Sequence, residues 1–261
     1  MPYARDEGVR IHYEVLGSGP PLFLHIGAGR EWDSWKLAGY TERLKGYRMI
    51  ILDPRGRGLS DRPGTLAAHR LENYVSDAVR IIDDLGLDKV GFWGHSDGAR
   101  VGFVLALKHP RRLNALVAAG GQDEPGEYQK WRVSLAIRAR AKGMGPLDEF
   151  FRRKYLRTFG HGYPKWYKRT RRFRDPEMFA LNMLAWKDWI ERWDMYPRIR
   201  VPSLIIAGDR EDPAGLGNRI ASLMPDARSV VIEGEDHVGE FLRSDLAVRH
   251  ARPFLQANLG R

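Results

Sequence analysis

Gly94-His95-Ser96-Asp97-Gly98 is the feature that most limits what this chain can become. It follows the apolar run Lys89–Trp93 and precedes a helical pattern over Ala99–His109. The five residues therefore occupy a turn between strand and helix, the context in which G-x-S-x-G has a mechanical meaning. A serine on so sharp a turn points its hydroxyl out of the sheet, and the two glycines let strand and helix approach each other. The N–H of Asp97 then lies at a helix N-terminus, facing any oxyanion that forms on a molecule held at Ser96.

A serine hydroxyl is a weak nucleophile and needs a base, itself oriented by a carboxylate. In this strand order both partners follow the serine, acid first. Asp209, Glu211 and Asp212 cluster after the apolar run Ser203–Ala207, and His237 follows Ser229–Ile232. Both places are strand ends, from which side chains can converge on Ser96. His25 and His95 end earlier strands and read as structural; His109, His161 and His250 read as helix or surface residues.

The rest of the chain supports an α/β class. Short strands at Val9–Leu16, Pro21–Ile26, Tyr47–Leu52, Lys89–Trp93 and Leu113–Ala119 alternate with helical patterns, which predicts a mostly parallel central sheet flanked by helices. In Leu71–Leu85 the apolar residues Leu71, Tyr74, Val75, Ala78, Ile81, Ile82 and Leu85 recur at helical spacing. Residues 122–198 carry charged and aromatic helical patterns and no convincing strand. Strand and helix resume at Ser203–Ala207, Leu216–Met224, Ser229–Ile232 and Glu240–Asn258. The expected division is a core of residues 1–121 and 199–261 with a helical cap, or lid, inserted at 122–198. Ligands in open α/β sheets bind beyond the carboxyl ends of the strands, where such a cap would cover the site.

Composition removes several classes. With no cysteine among 261 residues there is no disulfide scaffold, zinc–thiolate site or cysteine nucleophile. The opening residues lack the apolar run of a secretory signal, and no stretch is apolar enough to span a bilayer, so a soluble, cytoplasmic protein without membrane insertion is expected. No H-E-x-x-H or G-x-x-x-x-G-K pattern occurs, so neither metal nor organic cofactor is expected. The net charge of +10 is concentrated in residues 122–200, which hold 19 Lys and Arg against 10 Asp and Glu. That excess reads as a solvated helical surface. Nucleic acid, an anionic membrane or acidic substrates are the alternatives, though no nucleic-acid docking motif accompanies the charge.

Five matching features span nearly the whole chain. They are His25 with Gly27, the Asp53-x-Arg55-Gly56-x-Gly58-x-Ser60 turn, the Gly94–Gly98 elbow, the Gly208–Pro213 loop and His237. On these the chain resembles the α/β-hydrolase fold superfamily, in its esterase-like branch with a helical cap. The resemblance implies Ser96 as nucleophile, His237 as general base then acid, and Asp212 as the orienting acid. Relatives often carry the acid three residues after the glycine that ends its strand. Here that position is Glu211, while Asp212 precedes Pro213 as the family acid often precedes proline. Asp212 is therefore preferred, with Glu211 in reserve and Asp209 capping the loop. By analogy the second oxyanion N–H belongs to Gly27, beside Asp97, with Ile26 and Ala28 as alternatives.

The resemblance further implies hydrolysis of a small-molecule carboxylic ester or lactone through an acyl-enzyme. Epoxide hydrolases and haloalkane dehalogenases of the fold use an aspartate nucleophile, against which Ser96 argues. A C–C bond hydrolase, other serine-dependent chemistry and a non-enzymatic small-molecule receptor are the alternatives. Ile26, His95, Trp186 and Val238 are expected to line the substrate pocket. The stripe Phe179, Met183, Trp186, Ile190 and Trp193 is expected mainly to pack the cap onto the core. The Asp97 carboxylate is expected to favour the helix dipole, with a cationic substrate group as its alternative partner.

Overall fold

The computed structural model describes residues 2–121, 127–165, 167, 174–187, 193–210, 212 and 215–260. The chain opens with a hairpin, β1 (Tyr3–Asp6) and β2 (Val9–Leu16), paired antiparallel. Glu7 and Gly8 join them with φ of 47° and 83°, the two positive angles that a two-residue turn needs to match strand twist. β1 was not expected from periodicity; the Glu7-Gly8 pair was its signal.

The remaining elements follow in chain order. They are β3 (Pro21–His25), α1 (Asp33–Leu37), α2 (Tyr40–Arg43), β4 (Arg48–Leu52), α3 (Leu71–Asp84), β5 (Val90–His95), α4 (Asp97–Lys108) and β6 (Leu113–Ala119). Then come α5 (Glu127–Lys142), α6 (Gly145–Phe159), α7 (Pro176–Ala185), a 3-10 segment at Trp193–Arg198, and β7 (Ser203–Gly208). The chain finishes with α8 (Leu216–Leu223), β8 (Ala227–Ile232), α9 (His237–Leu242) and α10 (Ser244–Leu259). One eight-stranded sheet results, ordered β1-β2-β4-β3-β5-β6-β7-β8 and parallel from β4 onward.

β5 and β7 are buried along their whole length, as strands covered on both faces must be. On one face α3 and α4 pack against Phe23 and Phe92. On the other Trp35, Trp93 and α10 form a second core. The predicted apolar face of α3 is the buried one, from Leu71 to Ile82. Each such aliphatic side chain contributes about 1.5–3 kcal/mol on burial.

The closing helix is two helices rather than one. Asp236 accepts the Gly239 N–H and so starts α9 at His237. Arg243 then leaves helical geometry, with ψ of 53°, before α10 begins. Between β6 and β7 the described residues form helices and no strand. There the aromatic stripe divides. α7 ends at Ala185, Met183 and Phe179 share a small cluster with α5, and Trp193 packs on Tyr196 and Arg219. Ile190, Trp166 and Trp189 lie outside the described residues. Several of the segment's cations are spent on ion pairs, among them Arg140–Glu177, Arg152–Glu149 and Arg174–Glu31.

Candidate active site

Ser96 sits between β5 and α4 with φ 57° and ψ −120°, one of two non-glycine residues with positive φ among the described residues. Backbone strain of this kind persists only where the surroundings impose it. Here the Ser96 N–H donates to the Ala119 carbonyl at 2.8 Å. The flanking glycines are required: a Cβ on Gly94 would fall 2.1 Å from the Gly98 carbonyl oxygen, and one on Gly98 would fall 2.0 Å from that of His25.

His237, the first residue of α9, brings its Nε2 to 3.0 Å from Ser96 Oγ, joining residues 141 apart in sequence. His95 supports it from behind. The rings lie 4.8 Å apart, and His95 Nε2–H donates to the His237 carbonyl at 3.2 Å. Burial holds His95 well below the ordinary histidine range, so it stays neutral in that tautomer.

Asp212 is not brought to His237. Its two carboxylate oxygens accept the N–H groups of Leu216 and Gly217, each at 2.6 Å, satisfying the open donors at the start of α8. Among the described residues no hydrogen bond joins Asp212 to His237. Asp209 accepts the Gly234 N–H, a loop-tying role as expected. Glu211 and Pro213 lie outside the described residues. Sequence reasoning missed Glu240, a fully buried carboxylate one helical turn after His237. A Cβ on Gly120 would meet His237 Nδ1 at 3.0 Å and Glu240 Oε2 at 3.1 Å.

The loop after β3 presses on the nucleophile. A Cβ on Gly27 would lie 2.6 Å from Ser96 Cβ. Two side chains fix its carbonyls: His25 Nδ1 donates to Ile26 O at 3.0 Å, and Arg57 Nη1 donates to Gly27 O at 2.5 Å. Burial and nearby Arg57 lower His25 to about 3, leaving it a neutral donor. Arg57 comes from the glycine-rich turn, which is structural as expected. Asp53 accepts from His12, Trp32 and Leu59, and Arg55 grips Asp77 with two hydrogen bonds.

Asp97 is the acidic first residue of α4, at the positive end of the helix dipole as expected, and it has a further partner that was not expected. Arg132 of α5 donates to its carboxylate at 2.8 and 3.3 Å, and Arg100 approaches to 3.5 Å. Burial alone would push this carboxyl up, but Arg132 and Arg100 outweigh it and hold it down at about 2. Arg132, itself fully buried, also donates to the Asn182 and Met183 carbonyls of α7.

A cavity of about 780 Å³ adjoins Ser96 and His237. Ile26, His95 and Val238 line it, with Gly27, Ala28 and Phe179. Trp186 is not among its lining residues. It is buried in the main core, donates from Nε1 to the His69 carbonyl at 2.7 Å, and packs edge-on to Tyr74. Among the described residues no group of three potential ligands could hold a metal ion, and no helix is long and apolar enough to cross a membrane.

A family described as alpha/beta hydrolase fold matches residues 20–242. Epoxide hydrolase 2 of Siraitia grosvenorii is 38% identical over 111 residues, 42% of this chain and 35% of that protein. The match thus spans about a third of that relative's length. The 2-hydroxymuconate semialdehyde hydrolase of a Pseudomonas species is 33% identical over 116 residues, 43% of this chain and 40% of the relative. Among solved structures, the enol-lactonase from Burkholderia xenovorans superposes with a TM-score of 0.83 at 26% identity, covering 98% of this chain and all of that one.

Proposed function

The chain belongs to the α/β-hydrolase fold family, and on that footing we propose that it is a serine hydrolase cleaving a carboxylic ester or lactone. The observation that carries this reading is the 3.0 Å approach of His237 Nε2 to Ser96 Oγ at a strained strand-to-helix turn. An aspartate nucleophile is disfavoured because serine occupies the elbow. The likeness to an enol-lactonase supports a lactone or ester carbonyl as the target.

Ser96 Oγ attacks the carbonyl carbon while His237 Nε2 takes its proton. The carbonyl oxygen becomes an oxyanion, stabilised by the Asp97 N–H at the start of α4. The second donor is the Ala28 N–H in place of Gly27. A trans peptide points its N–H opposite its carbonyl, so the grip of Arg57 on the Gly27 carbonyl fixes the direction of the Ala28 N–H. Each donor is worth about 3 kcal/mol to the transition state. The intermediate collapses to an acyl-Ser96 ester, and His237 returns its proton to the departing alkoxide. Water deprotonated by His237 then releases the acid and restores the serine. Glu211 is the orienting acid, since Asp212 is engaged at α8 and Glu211 stands third after Gly208.

Residues 122–198 act as a cap over this site. α5, α6 and α7 contribute Leu135, Phe151 and Phe179 to the cavity wall, which supports that role. The test is fluorophosphonate labelling, with the modified peptide mapped by mass spectrometry. An adduct on Ser96 that disappears in His237→Ala is expected. A folded protein that takes no label and hydrolyses no ester would refute the reading.

A further inference from the structure

The cavity beside Ser96 is apolar on most sides, yet its described lining carries three guanidinium groups, Arg30, Arg100 and Arg138, against one carboxylate, Asp236. The nearby acids have direct partners other than Arg30. Asp236 pairs with Lys154, Glu31 and Asp148 with Arg174, and Asp97 with Arg132. Arg30 is the unusual member. It is only 5% exposed, its Nη1 donates to the Tyr167 hydroxyl at 3.1 Å, and its guanidinium carbon stacks 3.6 Å from the Phe151 ring centre. No carboxylate among the described residues pairs with it.

A guanidinium cannot shed its proton to escape burial, so a buried one without a counter-ion is costly unless another anion supplies it. One edge of Arg30 is taken by Tyr167 and one face by Phe151; the planar fork retains further donors suited to a carboxylate. Arg30 also stands three residues beyond Gly27, on the same loop that packs on the nucleophile. Arg138, exposed on α5, adds positive charge to the same lining and would draw anions inward.

We propose that Arg30 receives a carboxylate carried by the substrate, so that the site takes anionic esters or lactones: half-esters of dicarboxylic acids, or lactones bearing an acid side chain. This rests on the serine-hydrolase reading above, which it sharpens. The carboxylate anchors the non-reacting end on Arg30, and the apolar walls hold the carbon chain between that anchor and Ser96.

The experiment compares kcat/KM for the p-nitrophenyl half-ester of glutaric acid with its neutral methyl-capped diester. The half-ester should be preferred on the order of 10-fold or more, the scale of one hydrogen bond to a charged group, and added salt should erode the preference. Arg30→Gln should collapse the ratio toward unity, and Arg30→Lys should keep part of it. Equal use of the two esters by the native chain, or an unchanged ratio in Arg30→Gln, overturns the proposal. Should Arg30→Gln not fold, the native ratio and its salt dependence decide alone. Failure of the parent reading looks different, since then Ser96 takes no fluorophosphonate and neither ester turns over. Calorimetry of monomethyl glutarate, binding the native chain but not Arg30→Gln, would still support the anion site; no heat with the native chain would sink it.

Discussion

Arg132 donates to both carboxylate oxygens of Asp97, the residue directly after Ser96, across 35 positions of sequence. Both partners are buried, so the pair is worth most as an arrangement that must not be half removed. Breaking a buried ion pair by removing one member costs about 3–5 kcal/mol, whereas replacing both with apolar groups can be near neutral. Asp97→Asn and Arg132→Met are each expected to destabilise the fold by roughly that amount, and the double variant by less than the two together. Urea unfolding of all three variants measures this. Additive losses would mean that the two side chains act independently.

Acid identity is open to a direct comparison. Asp212→Asn removes a helix-capping carboxylate and should cost about 1 kcal/mol of stability with little loss of turnover. Glu211→Gln should cut kcat by roughly 10²- to 10⁴-fold, the range found when a catalytic histidine loses its orienting acid. Steady-state kinetics on one ester, with unfolding midpoints for each variant, separates the effects. A large kcat loss in Asp212→Asn would restore the expectation based on its place before Pro213. A loss confined to Glu240→Gln would place the acid on α9.

The central strands were legible because burial on both faces leaves continuous apolar runs, and Ser96 with His237 because their turn chemistry has few other uses. The engagement of Asp212 at α8 was not legible for a physical reason. The position of Asp212 before Pro213 says where the backbone goes, not which N–H groups its oxygens meet, and two such donors lay four and five residues ahead in α8. Short α1 and α2 offered too few residues for a period. Trp186 fitted the helical spacing of Phe179 and Met183, but α7 had already ended and its indole was drawn to His69. Arg57, Arg132 and Arg30 became visible only when the fold joined distant segments.

Arg57 provides a further test, because it holds the Gly27 carbonyl and also reaches the Asn182 side chain of α7 at 3.4 Å. On the proposed mechanism, its removal frees the peptide that donates to the developing oxyanion. Arg57→Gln should therefore lower kcat by about 10- to 10²-fold, somewhat less than the loss of a donor outright, with KM nearly unchanged. That split marks an interaction realised only in the transition state. A rise in KM at constant kcat would instead make Arg57 a determinant of ground-state binding.

Stability should fall as the solution is acidified below neutrality, well before the carboxylate at Asp97 protonates. Burial lowers His25 to about 3 and His69 to about 4, and places His95 well below its ordinary value. The unfolded chain takes up those protons near pH 6.5. Between about pH 6.5 and 4 the unfolded state thus binds more protons at these three sites, and stability declines with falling pH by about 1.4 kcal/mol per unit for each net proton. One contribution opposes them. Burial raises Asp77 to about 6 against the pull of Arg55, so below that pH the folded state also gains a proton. The histidines outnumber it, and the net sign holds. Urea midpoints at pH 5 and pH 7, read at constant m, should show the lower stability at pH 5. Equal or greater stability at pH 5 would mean that these rings are not held neutral in the folded chain.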